Sequence, residues 1–252
     1  MTKQLGLVLG LTAAILLTAA CSGRSTTPPV TTGSTPGGGG LSTVLFVGDS
    51  VAVGEAVPLT AAFAASNVHF RSIAAEGGGN VVGPFADHHW AELPGEITSA
   101  KASVVVYQIT TYDWGSEQEQ RQAYERLLRT VTDTGAKLAF VTMPPIRPDD
   151  FYRPHMAELD RTRGVAQAVT DESSGRASTL DADSVWGKTY QQDKDGKADR
   201  SSDGIHTCPQ GAARFATWLL GALAKLFPGF TPADPGTWAN TGWSADKHFT
   251  GC

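Results

Sequence analysis

The clearest guide to the architecture is one stretch near the start of the folded region, Thr43-Val-Leu-Phe-Val-Gly-Asp-Ser50. Its first five residues form a short run rich in β-branched and aromatic side chains, and Gly48 ends the run. Such a run predicts a buried strand. A serine at the end of that strand, next to a helix, can present its hydroxyl at the sheet edge where α/β proteins bind ligands. Asp49-Ser50 could also serve only as the cap of that helix.

Strand-like and helix-like segments alternate along the rest of the chain. The patterns predict strands at 43–47, 68–73, 103–107, 137–142 and 177–180. They predict helices at 56–65, 117–132, 154–169 and 210–227. Five short strands separated by helices indicate a single α/β domain over 42–227, with three α/β/α layers around a five-stranded parallel sheet. The tail at 228–252 has no clear period.

The N-terminal segment has the features of an export signal. Lys3 supplies a basic start, an apolar run spans 5–17, and Thr18-Ala-Ala-Cys21 follows. The apolar run is shorter than the roughly 20 residues of a membrane span. The pattern predicts a lipoprotein signal peptide at 1–21 with Cys21 acylated, although a plain signal peptide cut near Ala20 stays possible. The Ser, Thr, Pro and Gly composition of 22–41 predicts a flexible tether.

The three cysteines fit export. If Cys21 carries lipid, Cys208 and Cys252 remain and can form one disulfide in an oxidising compartment. The bridge would hold the tail at 228–252 against the domain. Two unrelated thiols are the alternative. Neither cysteine belongs to a CxxC pair, so a cysteine metal site and a redox function are both disfavoured.

Charge and composition narrow the class of function. Apolar residues make up 41% of the 252 residues and charged residues 18%, which is enough to form a core. The formal net charge is -5, and no Lys/Arg cluster offsets it, which argues against nucleic acid as a partner.

A second chemical element lies just before the last helix, in Asp203-Gly-Ile-His206. A serine nucleophile needs a base, and the base needs an acceptor that fixes its tautomer. Asp203 and His206 lie three residues apart in a turn, which can place a carboxylate beside the imidazole. An ordinary surface turn is the alternative.

Taken together, Phe46-Val-Gly-Asp-Ser50 and Asp203-Gly-Ile-His206 resemble the first and last sequence blocks of the SGNH (GDSL-like) hydrolases. The resemblance covers roughly 43–227 and implies the SGNH, flavodoxin-like fold. It implies Ser50 as nucleophile, Asp203 as orienting acid and His206 as base. It also implies an oxyanion hole made by the Ser50 N–H, a Gly after the second strand and an Asn after the third.

The middle blocks of the resemblance are less complete. Gly77, in Glu76-Gly-Gly-Gly79, is the first choice for the oxyanion glycine, with Gly78 and Gly79 close behind. After the third strand the family usually has Gly-x-Asn-Asp, whereas this chain reads Tyr107-Gln-Ile-Thr-Thr-Tyr-Asp-Trp114. The Asn is absent, and its replacement is predicted to be Gln108, Thr110 or Thr111. This departure is similar to SGNH domains associated with membrane acyltransferases of cell-surface glycans.

Three other signals favour structure over chemistry. The loop Asp193-Lys-Asp-Gly196 lacks the first and last ligands of a calcium loop. Asp87-His-His89 would point its neighbouring side chains apart if it were extended. The late aromatic residues are expected mainly to cover the core, although a substrate groove is the alternative: Trp218, Phe227, Phe230, Trp238 and Trp243.

These observations predict a lipid-anchored serine esterase or O-acyltransferase on the outer face of the cytoplasmic membrane. The predicted substrate is an acylated glycan or lipid of the cell envelope. The reaction would form an acyl-enzyme on Ser50, and a membrane acyltransferase is the predicted partner protein. The resemblance implies no metal and no organic cofactor. The alternative is a catalytically weak SGNH-like lipoprotein that binds envelope carbohydrate. The absent Asn favours this alternative, and the presence of Ser50, Asp203 and His206 argues against it.

Overall fold

The computed structural model describes residues 40–252, and at its centre lies a five-stranded parallel sheet in the order β2-β1-β3-β4-β5. The strands are β1 (Thr43–Val47), β2 (His69–Ser72), β3 (Val104–Gln108), β4 (Lys137–Val141) and β5 (Ala177–Leu180). All four neighbouring pairs run parallel. The predicted sheet is confirmed.

Helices cover both faces of this sheet. They are α1 (Ser50–Ala65), α2 (Ala86–Ala100), α3 (Glu117–Thr132), α4 (Met156–Asp171), the short α5 (Asp183–Trp186) and α6 (Pro209–Leu226). Helices α1 and α6 share one apolar core with alternate strand residues such as Phe46. Helices α2, α3 and α4 share the other core, into which the next strand residue, Leu45, points. The three-layer α/β/α prediction is confirmed.

The strand order determines where a site can form. Strand β1 has β2 on one side and β3 on the other, so the chain direction across the sheet reverses at β1. The loops that follow β1 and β3 leave the sheet in different directions and open a crevice between them. Ser50 and the segment after Gln108 therefore meet at this point.

Two helix predictions were wrong. Helix α1 begins at Ser50 and runs through Pro58, six residues before the predicted start. Helix α2 was not predicted, because Pro94 and Gly95 interrupt a pattern whose apolar residues do follow a helical period. Asp87–His89 consequently lies in a helix and not in an extended segment. The loop weighed as a calcium site forms a small antiparallel hairpin of β6 (Asp193–Lys194) and β7 (Lys197–Ala198).

The tail packs against the core through short turns. It contains three 3-10 helices at Pro235–Thr237, Trp243–Ala245 and Lys247–Phe249, and Trp238 is fully buried in the core that α1 and α6 share. A disulfide joins Cys208 to Cys252, as predicted. Leu41, assigned above to the tether, is buried in the same core as Trp238, so the folded part begins earlier than 42.

The predictions for the signal peptide, Cys21 and most of the tether concern residues outside the described range. Within 40–252, no helix combines the length and the apolar character that crossing a membrane requires.

Candidate active site

Ser50 stands at the junction of β1 and α1. Asp49 caps the helix, because its Oδ1 accepts a hydrogen bond from the Val51 N–H at 3.0 Å. Its Oδ2 accepts the N–H and the hydroxyl of Thr111, each at 2.7 Å, and so ties the turn after β1 to the segment after β3. Burial raises the pKa of the Asp49 carboxyl, and the hydrogen bonds from Thr111 and Val51 oppose that rise. The capping role of Asp49 is therefore present, and Ser50 lies at the start of the helix that Asp49 caps.

His206 lies within hydrogen-bond reach of Ser50, although 156 residues separate them. The Nε2 atom of His206 is 2.8 Å from the Ser50 Oγ, and the Nδ1 atom is 2.7 Å from the Asp203 Oδ2. Because Asp203 accepts the Nδ1 proton, the Nε2 lone pair faces the serine hydroxyl. These distances are those of a nucleophile, a base and an orienting acid.

The turn itself positions the Asp203 carboxylate. Its Oδ1 accepts the N–H groups of Ile205 at 2.7 Å and of His206 at 3.0 Å, which leaves Oδ2 for the imidazole. Partial burial raises the pKa of Asp203, but the hydrogen bonds from the His206 ring and these two N–H groups outweigh it, and the pKa ends below its ordinary value. Asp203 is therefore a carboxylate at neutral pH.

A buried arginine stabilises the turn from Asp203 to His206 through hydrogen bonds to backbone carbonyls. Arg200 is 2% exposed and donates to the carbonyls of Pro145 at 2.8 Å, His206 at 3.4 Å and Ile205. Burial lowers the pKa of Arg200, and the carboxyl of Glu55, on α1, opposes this most strongly. Sequence reasoning missed Arg200, since nothing local separates it from a surface arginine.

Ser50, Asp203 and His206 line a cavity of about 710 Å³. Gly77 and Tyr112 line it together with Ser50 and His206, and the tail supplies much of the opposite wall: Lys247, His248, Thr250 and Gly251. His248 reaches across to the loop before Gly77, with its Nε2 atom 3.2 Å from the Glu76 Oε1. No sequence pattern indicates this wall, because the tail reaches the cavity only through the packing of residues such as Phe249 and through the Cys252 disulfide.

The predicted oxyanion glycines separate in the structure. Gly77 lines the Ser50 cavity at a left-handed φ of 69°. Gly78 does not line the Ser50 cavity; it lies on the wall of a neighbouring pocket, which Gly77 also borders. A Cβ atom on Gly79 would lie 2.0 Å from the Gly48 carbonyl oxygen, so this glycine is required for packing against the end of β1.

The predicted replacements for the absent Asn are buried away from the Ser50 cavity. Gln108 is buried outside the cavity, beside Glu55. The two side chains lie close together but lack hydrogen-bond geometry. Burial raises the pKa of the Glu55 carboxyl, and the nearby Gln108 amide opposes that rise. The Thr110 hydroxyl donates to the Asp113 Oδ1 at 3.1 Å, and the Thr111 hydroxyl donates to Asp49. None of these three groups lines the cavity.

Tyr112, which lies in the cavity wall, was not among the candidates. A signal was present, because Tyr112 directly precedes Asp113 as the Asn precedes the Asp in Gly-x-Asn-Asp. The exchange of an amide for a phenol obscures this correspondence. The segment between β3 and α3 therefore does contribute a polar group to the site, but a different one from those predicted.

Comparison with known proteins gives fold-level likeness. No protein-family model matches the chain. A comparison with curated proteins finds no relative. Among solved structures, an acetylxylan esterase from Geobacillus stearothermophilus aligns with a TM-score of 0.54 at 14% identity, covering 77% of this chain and 96% of that chain.

Two further solved structures have a similar fold. An α/β hydrolase from the metagenome of Lake Arreo, Spain, has a TM-score of 0.53 at 16% identity, covering 73% of this chain and 96% of that chain. A protein from Slackia heliotrinireducens, assigned to the SGNH hydrolases, has a TM-score of 0.51 at 18% identity, covering 71% and 97% respectively. With its sheet order and the site at the end of β1, the chain has the fold of the SGNH hydrolases.

Proposed function

We propose that this protein is a serine esterase or O-acyltransferase that works through an acyl-enzyme on Ser50. The observation that carries the proposal is the continuous contact from the Ser50 Oγ to His206 Nε2, and from His206 Nδ1 to Asp203, at 2.8 and 2.7 Å in an open cavity. Such an arrangement activates a hydroxyl that is otherwise a weak nucleophile at neutral pH.

The reaction follows from this geometry. His206 takes the Ser50 proton while the Oγ attacks the ester carbonyl, and the tetrahedral oxyanion accepts hydrogen bonds from the N–H groups of Ser50 and Gly77. Ser50 is the first residue of α1, so its N–H has no partner inside the helix. Collapse of the intermediate breaks the ester C–O bond, and the imidazolium gives its proton to the leaving alcohol. Water or a sugar hydroxyl then attacks the acyl-enzyme, with His206 again as base.

The proposed substrate is an acylated glycan or lipid of the cell envelope. The polar tail wall suits a hydroxyl-rich substrate, and the exposed aromatic rings of Phe85 and Phe151 pack against Tyr112, which lines the cavity. The signal-like N-terminus and the Cys208–Cys252 disulfide support export, since disulfides persist in oxidising compartments. Attachment through Cys21 to the outer face of the cytoplasmic membrane, beside a membrane acyltransferase, is part of the proposal.

The first test is hydrolysis of p-nitrophenyl acetate by the purified protein, beside Ser50→Ala and Ser184→Ala. Ser184 is an exposed serine outside the cavity and is the matched control. We expect Ser50→Ala to remove turnover and labelling by a fluorophosphonate, and Ser184→Ala to change neither. Equal turnover in wild type and Ser50→Ala would refute the mechanism. If wild type is inert but binds acetylated oligosaccharide, the carbohydrate-binding alternative replaces the esterase.

Transfer and location need separate measurements. Adding methyl glucoside to the assay gives an acetylated sugar if transfer occurs, and only acetate if water is the acceptor. For the anchor, Cys21→Ala should move the protein from the membrane fraction to the soluble fraction of cells that process lipoproteins. Unchanged membrane association in that variant would contradict lipidation at Cys21.

A further inference from the structure

The proposed mechanism has two backbone donors at the oxyanion and no side-chain donor. In the segment Gln108–Asp113, three polar groups are already committed or lie outside the cavity, as described above for Gln108, Thr110 and Thr111. The Asp113 carboxylate is also occupied, because it accepts the hydroxyls of Tyr107 and Tyr124 and is fully buried. The Tyr112 hydroxyl is the remaining side-chain donor of this segment, and Tyr112 lines the cavity with Ser50, Gly77 and His206.

We infer that the Tyr112 hydroxyl donates the third hydrogen bond to the oxyanion that forms on Ser50. The inference rests on the proposed function and names a residue that acts on the reacting atoms. During attack, the negative charge that develops on the carbonyl oxygen accepts the Tyr112 O–H. No proton is transferred, and the bond weakens again when the carbonyl re-forms.

A chain of hydroxyls connects the Tyr112 oxygen to Asp49, the residue before the nucleophile. The Tyr112 Oη is 3.3 Å from the Tyr152 Oη, which is 3.4 Å from the Thr111 Oγ1, and that atom is 2.7 Å from the carboxylate of Asp49. Asp49 directly precedes Ser50 in the sequence. The phenol of Tyr112 therefore belongs to the network that anchors the start of α1.

The direction of these bonds leaves one proton unused. Tyr152 donates to the Tyr112 Oη, so the hydroxyl proton of Tyr112 is not consumed in that bond. Within residues 40–252, the Tyr112 hydroxyl has no acceptor of its own. A hydroxyl that accepts a hydrogen bond is also polarised toward donating one. The Tyr112 hydroxyl can therefore donate a hydrogen bond to an acceptor bound in the cavity.

The ring is held in place before any substrate binds. Phe85 meets it edge-on at 5.7 Å between ring centroids and Phe151 at 6.4 Å, although each of these two phenylalanines is more than half exposed. Phe85 also adopts a φ of 69°, a left-handed conformation that is costly for a large side chain. Strain of this kind is tolerated where the surrounding structure requires it, commonly at functional sites. A donor fixed in advance stabilises a transition state without reorganisation.

The test compares Tyr112→Phe with Tyr152→Phe, each of which removes one hydroxyl and keeps the ring. We expect Tyr112→Phe to lower kcat for p-nitrophenyl acetate by about 10²–10³, as the loss of one oxyanion donor does, with KM changed less than about threefold. Tyr152→Phe should lower kcat by no more than about tenfold, because it removes only the polarising bond. Thermal unfolding of both variants should stay close to wild type.

A second readout separates catalysis from structure. An alkyl boronic acid forms a tetrahedral anion on an active serine, so its Kd should rise in Tyr112→Phe roughly in parallel with the fall in kcat. The Kd of an uncharged ester-like amide should not change. Unchanged kcat in Tyr112→Phe, or a fall in kcat with unchanged boronate Kd, would overturn the inference while Ser50→Ala still supports the proposed function. A wild type that neither turns over the ester nor binds the boronate overturns both.

Discussion

The carboxylate of Asp49 should be among the most important single groups for stability in this domain. It is 1% exposed and accepts three hydrogen bonds, from the Val51 N–H, the Thr111 N–H and the Thr111 hydroxyl. Asp49→Ala leaves all three donors buried without an acceptor. An unsatisfied buried donor costs about 1–3 kcal/mol and the loss of a helix cap about 1 kcal/mol, and the costs are not additive. We expect a loss of about 3–5 kcal/mol in the free energy of unfolding.

Two further variants test the reasoning behind that magnitude. Asp49→Asn keeps one acceptor oxygen but turns an NH₂ group toward the remaining donors, so it should lose about 2 kcal/mol or more. Thr111→Val removes one donor and should lose about 1–2 kcal/mol. In the double variant that combines these two changes, the loss of unfolding free energy should be smaller than the sum of the two single losses, because both changes remove the same contact.

The assay is urea unfolding of the purified protein with the disulfide intact, followed by fluorescence. Asp234→Ala is the matched control, since Asp234 also caps a turn by accepting a backbone N–H, from Gly236 at 2.7 Å, but is exposed. It should lose less than about 1 kcal/mol. If Asp49→Ala loses no more than Asp234→Ala, the link between the turn after β1 and the segment after β3 contributes little, and the reasoning fails.

Three other predictions concern the base, the second buried carboxylate and the tail. Asp203→Asn should lower kcat by about 10²–10³ in the ester assay, less than for a fully buried orienting acid because the side chain is partly exposed; an unchanged kcat would contradict its role. Burial raises the pKa of the Asp113 carboxyl to about 6, although the hydrogen bonds that it accepts from Tyr107 and Tyr124 oppose this rise. The folded state then holds this proton more tightly than the unfolded state, so wild type should lose up to about 3 kcal/mol of unfolding free energy relative to Asp113→Asn between pH 4 and 7; parallel pH curves for the two proteins would contradict it. Cys252→Ser opens a loop of 44 residues and should cost about 4 kcal/mol, and it should raise KM because the tail forms part of the cavity wall; dithiothreitol should reproduce the loss in wild type and not in the variant.

The sequence determined the features whose cause is local. Helix α3 has its predicted bounds, because Ser116 and Glu119 form a reciprocal capping box at its start and its apolar residues keep the helical period. Strand β5 also has its predicted bounds. The turn from Asp203 to His206 could be interpreted from spacing alone, since three residues suffice for the carboxylate to reach both backbone N–H groups and the ring.

Long-range packing determines which distant groups share the cavity. Ser50 and His206 meet because α1 and α6 pack in one core, which brings the start of α1 beside the turn that precedes α6. The sheet order places the segment after β3 at the same point. The fold then decides which polar side chains of that segment face the cavity and which are bound elsewhere. Thr110 and Tyr112 lie two residues apart and are both polar, yet one hydroxyl is bound to a buried carboxylate and the other lines the cavity. The tail wall and Arg200 are likewise set by long-range packing. Local sequence encodes period, capping and turns, whereas the competition for hydrogen-bond partners is resolved only when the chain has folded.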